Sequence, residues 1–106
     1  MTSSHSLTHY MHHLVCALTE VVPQLHFHAC VLCEDYPCPE RITVFGIDPD
    51  GAVRGGYELG PYHPACDLFQ DTLSVARFFL EHRTDPEPCF HPPALKAQWI
   101  VSRMRN

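Results

Sequence analysis

Two pairs of metal-binding side chains, 29 residues apart, constrain this chain more than anything else in it. "HACVLCEDYPC", residues 28–38, carries Cys30 and Cys33 as C-x2-C, and "PYHPACDLF", residues 61–69, carries His63 and Cys66 as H-x2-C. Zinc prefers four tetrahedral ligands drawn from thiolate and imidazole, and a C-x2-C on a tight turn lets two sulfurs reach one ion. A pair spaced by two residues at the start of a helix can point both ligands past its N-terminus, where the dipole and free N–H groups stabilise thiolate. The segment between the pairs predicts a hairpin. "RITVFGI" is rich in β-branched and aromatic residues, "DPDG" (48–51) has the Pro and Gly of a reversal, and "AVRGGYEL" returns, weakened or bulged at Gly55 and Gly56.

"HPACDLFQDTLSVARFFLEHR", residues 63–83, predicts a helix with Pro64 in its first turn. Leu68, Phe69, Thr72, Leu73, Ala76, Phe79 and Leu80 supply its apolar face. Asp67 and Asp71 lie near the positive end of its dipole, and Arg77, His82 and Arg83 toward the negative end. Knuckle, hairpin and helix in this order resemble a treble-clef zinc finger with a Cys3His site. The spacing is similar to that of the poly(ADP-ribose) polymerase fingers, whose second pair also follows an aromatic residue, as in "YHPAC". The "HPAC" step is similar to the His-x2-Cys knuckle of LIM-type fingers. The resemblance covers residues 30 to about 80 and implies one structural zinc held by Cys30, Cys33, His63 and Cys66. Cys38 offers a substitute ligand, with His26 and His28 nearby. DNA binding does not carry over. Those fingers depend on basic residues around the hairpin, whereas here Asp48, Asp50 and Glu58 outnumber Arg41 and Arg54.

Six cysteines is an even count, so a disulfide framework is the first alternative and buried free thiols the second. The two-residue spacings and an opening "MTSSHSLTHYMHH" without the pattern of a secretory signal favour zinc in a reducing, cytoplasmic setting. At 106 residues the expectation is a single α+β domain over 1–106. It divides into an N-terminal helix (5–22), a zinc-binding core (28–83), and a Pro-rich loop with a short C-terminal helix (84–106). In "HSLTHYMHHLVCALTEVV", Leu7, Tyr10, Met11, Leu14, Val15, Leu18, Val21 and Val22 fall in one arc at 100° per residue, and Pro23 stops the helix. His5, His9, His12, His13 and Cys16 fall opposite. Nine histidines is the compositional outlier, so that face is either an exposed polar surface or a second metal or interaction site. "TDPEPCFHPP" reads as irregular because four of its ten residues are proline. Its Cys89 and His91 are loop residues or ligands of a second ion. The tail "ALKAQWIVSRMRN" predicts a short helix with Leu95 and Trp99 inward, with a strand over "QWIV" as the alternative.

Function follows from what these features permit. A net charge of −5 works against a phosphate-binding surface. A nucleic-acid finger would have to rely on Arg41, Arg54, Lys96, Arg103 and Arg105. A zinc hydrolase would need an open coordination position and a base such as Glu34, Asp35 or Asp67, whereas this constellation offers four good ligands. The remaining expectation is a non-enzymatic, zinc-stabilised module that binds a protein partner as a regulator or inhibitor, with homodimerisation open. Surplus aromatic residues such as Phe78, Phe90 and Trp99 fit that reading.

Overall fold

The computed structural model describes residues 3–31, 41–61 and 65–97, and side chains from Leu7 onward within them. Cys33, Glu34, Asp35, Cys38, His63, Pro64, Trp99, Arg103 and Arg105, and the side chain of His5, lie outside these. The element order is α1 (Ser3–Val21), β1 (His26–Val31), β2 (Arg41–Ile47), β3 (Val53–Pro61), α2 (Leu68–Glu81) and β4 (Cys89–His91). The strands form one sheet in the order β1-β2-β3-β4, antiparallel except that β4 runs parallel to β3 after the α2 crossover. The domain is therefore α+β.

Helix α1 forms where its apolar period demands. Leu7, Leu14, Leu18 and Val22 are buried and Tyr10, Met11 and Val15 pack beside them, while Val21 is 49% exposed. The hairpin also forms as expected. Gly51 donates to the Asp48 carbonyl at 2.8 Å with φ +95°, a conformation that only glycine adopts without strain. The register skips one residue of β3 at Arg54 and another at Leu59, so the bulges flank Gly55 and Gly56 instead of falling on them. A bulge re-aims its extra side chain, and Arg54 turns out toward the end of α2.

Three expectations are corrected. The C-x2-C pair does not begin on a turn: Cys30 lies in β1, which pairs with β2 because Phe27, Ala29 and Val31 alternate onto the helix-covered face. Helix α2 starts at Leu68, not His63, because the Asp67 carboxylate accepts from the N–H groups of Phe69 and Gln70 at 3.0 and 3.3 Å and caps it there. Its buried face is Thr72, Val75, Ala76 and Phe79, leaving Phe69, Leu73 and Leu80 exposed. Lastly, residues 89–91 form a strand. The prolines sit at 86, 88, 92 and 93, outside the three residues, on an edge strand that needs few donors.

The main core lies between the two helices and the sheet, with Ile42, Val44 and Phe27 meeting Leu14, Leu18, Val75 and Phe79. A smaller one lies on the back of the sheet. There Leu95, 2% exposed in a helical turn at 95–97, comes down on Gly56 beside Phe45. The helices are tied together by the Tyr10 hydroxyl, which donates to the Asp71 carboxylate. Burial, then that hydrogen bond, push the Tyr10 phenol above its ordinary value of 10. Because the folded-state value is the higher one, this contribution is complete below pH 10 and is lost as pH rises beyond it. In alkaline denaturant titrations, stability of the wild type should fall above pH 10 by up to about 1.4 kcal/mol per pH unit more steeply than that of Tyr10→Phe. Parallel curves would mean that the phenol is not held by Asp71.

Candidate metal centre

The topology gathers the described members of the sequence-predicted zinc set at one end of the sheet. Cys30, near the end of β1, pairs with Thr43, and the start of β2 pairs with the end of β3, Arg41 against Pro61. Cys66 Sγ lies 4.0 Å from the Pro61 carbonyl and precedes the first residue of α2 by two residues. Chain leaving β1 toward Cys33 and chain leaving β3 toward His63 therefore depart from the same end. Both thiols are half-buried and reduced, and burial pushes the Cys30 thiol above its usual range. A thiol so placed favours its neutral form unless a cation such as zinc compensates the thiolate. His26, His28 and Cys30 share the face of β1 opposite the helix-facing residues, and both histidines are exposed.

A second group converges at the other end of α2, and sequence reasoning did not assemble it. His82 is the C-cap of α2, Asp85 lies in the following turn and Cys89 opens β4. The Asp85 Oδ2 is 2.7 Å from His82 Nδ1 and accepts from the Cys89 thiol at 3.0 Å, and one ligand atom from each of the three residues lies within 4.8 Å of the others. The thiol and the imidazole hold the Asp85 carboxyl below its ordinary range, and the carboxylate in turn pushes the Cys89 thiol up. A protonated thiol beside a carboxylate is a poor nucleophile, so cysteine-based catalysis gains no support from this geometry.

Arg54 holds the frame of this group. Its Nη2 donates to the carbonyls of Arg83 at 2.8 Å, Asp85 at 2.9 Å and His82 at 3.4 Å, and its Nε lies 3.8 Å from Asp48 Oδ1. Carbonyls at a helix C-terminus need such a donor. The signal available in the sequence was "HRTDPEPC", a His-x2-Asp-x3-Cys run. His91, the other residue expected to pair with Cys89, stacks on Tyr57 at 4.8 Å.

The histidine face of α1 is exposed at His9, His12, His13 and Cys16. The rings of His9 and His13 stack at 5.1 Å, and Cys16 Sγ lies 3.7 Å from His12 Nε2. Of the cations proposed for nucleic acid, Arg41 pairs with Glu58 at 3.1 Å, Arg54 is engaged as described, and Lys96 is exposed.

The exposed apolar residues are contiguous. Val21, Leu73, Ala76 and Leu80 line an open groove of about 430 Å³ bordered by Arg77, Glu81 and Arg83. It shares Leu80 and Arg83 with an apolar cleft of about 260 Å³ that continues over Phe79 to Leu25 and Val22. Phe69 adds a 67% exposed ring one turn before Leu73 on the same helix. Among the described residues no helix is long and apolar enough to cross a membrane. Comparison with protein-family models, with curated proteins and with solved structures finds no match for this chain.

Proposed function

We propose that this chain is a non-enzymatic module that binds an amphipathic segment of a partner protein in the groove along α2, as a regulator or inhibitor. The observation that carries it is the outer face of α2. Leu73 and Leu80 stay 39% and 37% exposed beside Val21, in a groove that continues into a second apolar cleft. Contiguous apolar surface rimmed by polar groups is the usual mark of a protein-binding site. Arg77 and Arg83 on the rim, against the single Glu81, favour a segment that carries acidic groups beside its apolar anchors. The nucleic-acid reading loses support because both hairpin arginines are engaged with the protein's own acceptors.

One structural zinc on Cys30, Cys33, His63 and Cys66, in a treble-clef-like arrangement, belongs to the same proposal. It is supported by the common sheet end from which those segments leave. The ion would supply folding energy and no chemistry. The groove is tested by peptide-display selection on the full chain, counter-selected on Leu73→Asp. The expected result is a set of peptides with two or three apolar anchors and at least one carboxylate, whose affinity falls at least tenfold on Leu73→Asp. Peptides that bind the variant equally well, or an empty selection, would overturn the reading.

A further inference from the structure

We propose that His82, Asp85 and Cys89 form a second transition-metal site, distinct from the Cys30 set, with His82 also on the wall of the cleft that continues the groove. The three donors are imidazole nitrogen, carboxylate oxygen and thiol sulfur, a mixture that suits zinc and that calcium or magnesium, which take oxygen ligands, would not use. Their separations of 2.7 and 3.0 Å are those of a cluster held together by shared protons. A tetrahedral zinc with ligand distances of about 2.1 Å needs its donors roughly 3.4 Å apart. The His82–Asp85 and Asp85–Cys89 pairs therefore have to open by only about half an ångström, and the His82 and Cys89 donors already lie within 4.8 Å of each other.

Binding is balanced as follows. The Cys89 thiol releases its proton to water, and the His82 Nδ1 proton that faces Asp85 leaves through water while Nε2 takes one up, so the ring stays neutral with its proton on the nitrogen that does not bind. Zinc then takes the place of the hydrogens that Asp85 accepts. Two positive charges meet one carboxylate and one thiolate, so the occupied site is neutral. The three protein ligands leave one tetrahedral position for water. His82 and Asp85 are 39% and 41% exposed, so the ion enters from solvent without opening the core.

The site is held in place before the ion arrives. Arg54 fixes the backbone on both sides of the first two ligands through the carbonyls of His82, Arg83 and Asp85. Cys89 is fixed independently, because β4 pairs with β3 at Gly55. The Arg54 hydrogen bonds to this segment go to backbone carbonyls, so it acts as a positioning residue. Its removal should weaken the metal by about ten- to a hundredfold, the usual effect of losing an outer-shell support.

The test is metal stoichiometry of the full chain after zinc loading and dialysis, on wild type, Cys89→Ser, Asp85→Asn and Cys33→Ala. Circular dichroism checks the fold of each, and cobalt(II) replaces zinc for optical spectra. Cys89→Ser and Asp85→Asn are small changes at half-exposed positions, the first residue of an edge strand and a turn, so folding should survive both. The expected result is one ion fewer than wild type in each, with loss of one share of the thiolate-to-cobalt absorption in Cys89→Ser. If either variant binds as many ions as wild type, the site is refuted. Cys33→Ala separates the two metals. An ion lost with Cys33 and not with Cys89 reports on the first set alone, and its failure to appear would leave the second site standing.

Discussion

Phe79→Ala should lower folding stability by about 4 kcal/mol, seen as a shift of the urea midpoint, with a melting temperature lower by roughly 20 °C. Phe79 is 3% exposed, and its ring meets Phe27 and Phe78 edge-on at 5.5 and 5.2 Å. What makes it more than one core residue among others is Gly46. A Cβ there would lie 2.7 Å from the Phe79 ring, so the helix sits on bare strand backbone at that point. The ring fills the depression left by the missing side chain of Gly46, and truncation leaves a cavity there. The same contact predicts a coupled pair. Gly46→Ala should be destabilising by about 1–3 kcal/mol through overpacking, and it should cost less in a Phe79→Leu background, where the ring is gone. Strict additivity would mean that the ring does not lie over Gly46, and a loss below about 1 kcal/mol for Phe79→Ala would mean it is not a core residue at all.

That contact also explains which parts of the fold could be seen in the sequence. Helix α1 was legible because its apolar residues occupy one arc and Pro23 closes it. The hairpin was legible because Asp48, Pro49 and Gly51 admit little else. The existence of α2 was clear, but its phase was not. Leu68, Phe69, Leu73, Phe78 and Leu80 place apolar groups on several sides, so the pattern fits more than one rotation. The rotation is decided by where the sheet lacks a side chain under the helix, at Gly46, which is a tertiary fact.

Strand β1 was hidden because its outward positions are His26, His28 and Cys30, and these drew attention as ligands instead of as strand alternation. The metal centre divides in the same way. Cys30 and Cys66 stood out by their spacing, and the strand pairings bring their segments to one end of the sheet. Cys89 was visible too, but its companions were not: His82 reads as a helix-end charge, and Asp85 lies unmarked in the Pro-rich run. They meet only because a bulge aims Arg54 at the turn and a close strand pairing brings Cys89 alongside.

The close pairing gives the second large effect, at Gly55. A Cβ on Gly55 would lie 2.1 Å from the Cys89 carbonyl oxygen, a backbone atom that cannot swing aside as a side-chain tip could. Gly55→Ala therefore forces β3 and β4 apart, and about 3 kcal/mol is expected from overpacking of that severity. The loss should be concentrated at one place. Strand β4 has three residues and lies at the sheet edge, so it detaches more readily than the β1–β3 meander distorts. Amide exchange should then speed up at 89–91 and around Leu95, whose seat on Gly56 depends on β4 staying paired, while α1 and β2 keep their protection. If His82, Asp85 and Cys89 share an ion, the same substitution removes it without touching a ligand, because Cys89 leaves with the strand. Gly51→Ala is the control. No atom lies within 4 Å of its Cβ position and only its φ of +95° opposes a side chain, so about 1 kcal/mol is expected, with the second metal retained. Equal effects of the two glycine substitutions on stability and metal content would show that the approach of β4 to β3 is not what positions Cys89.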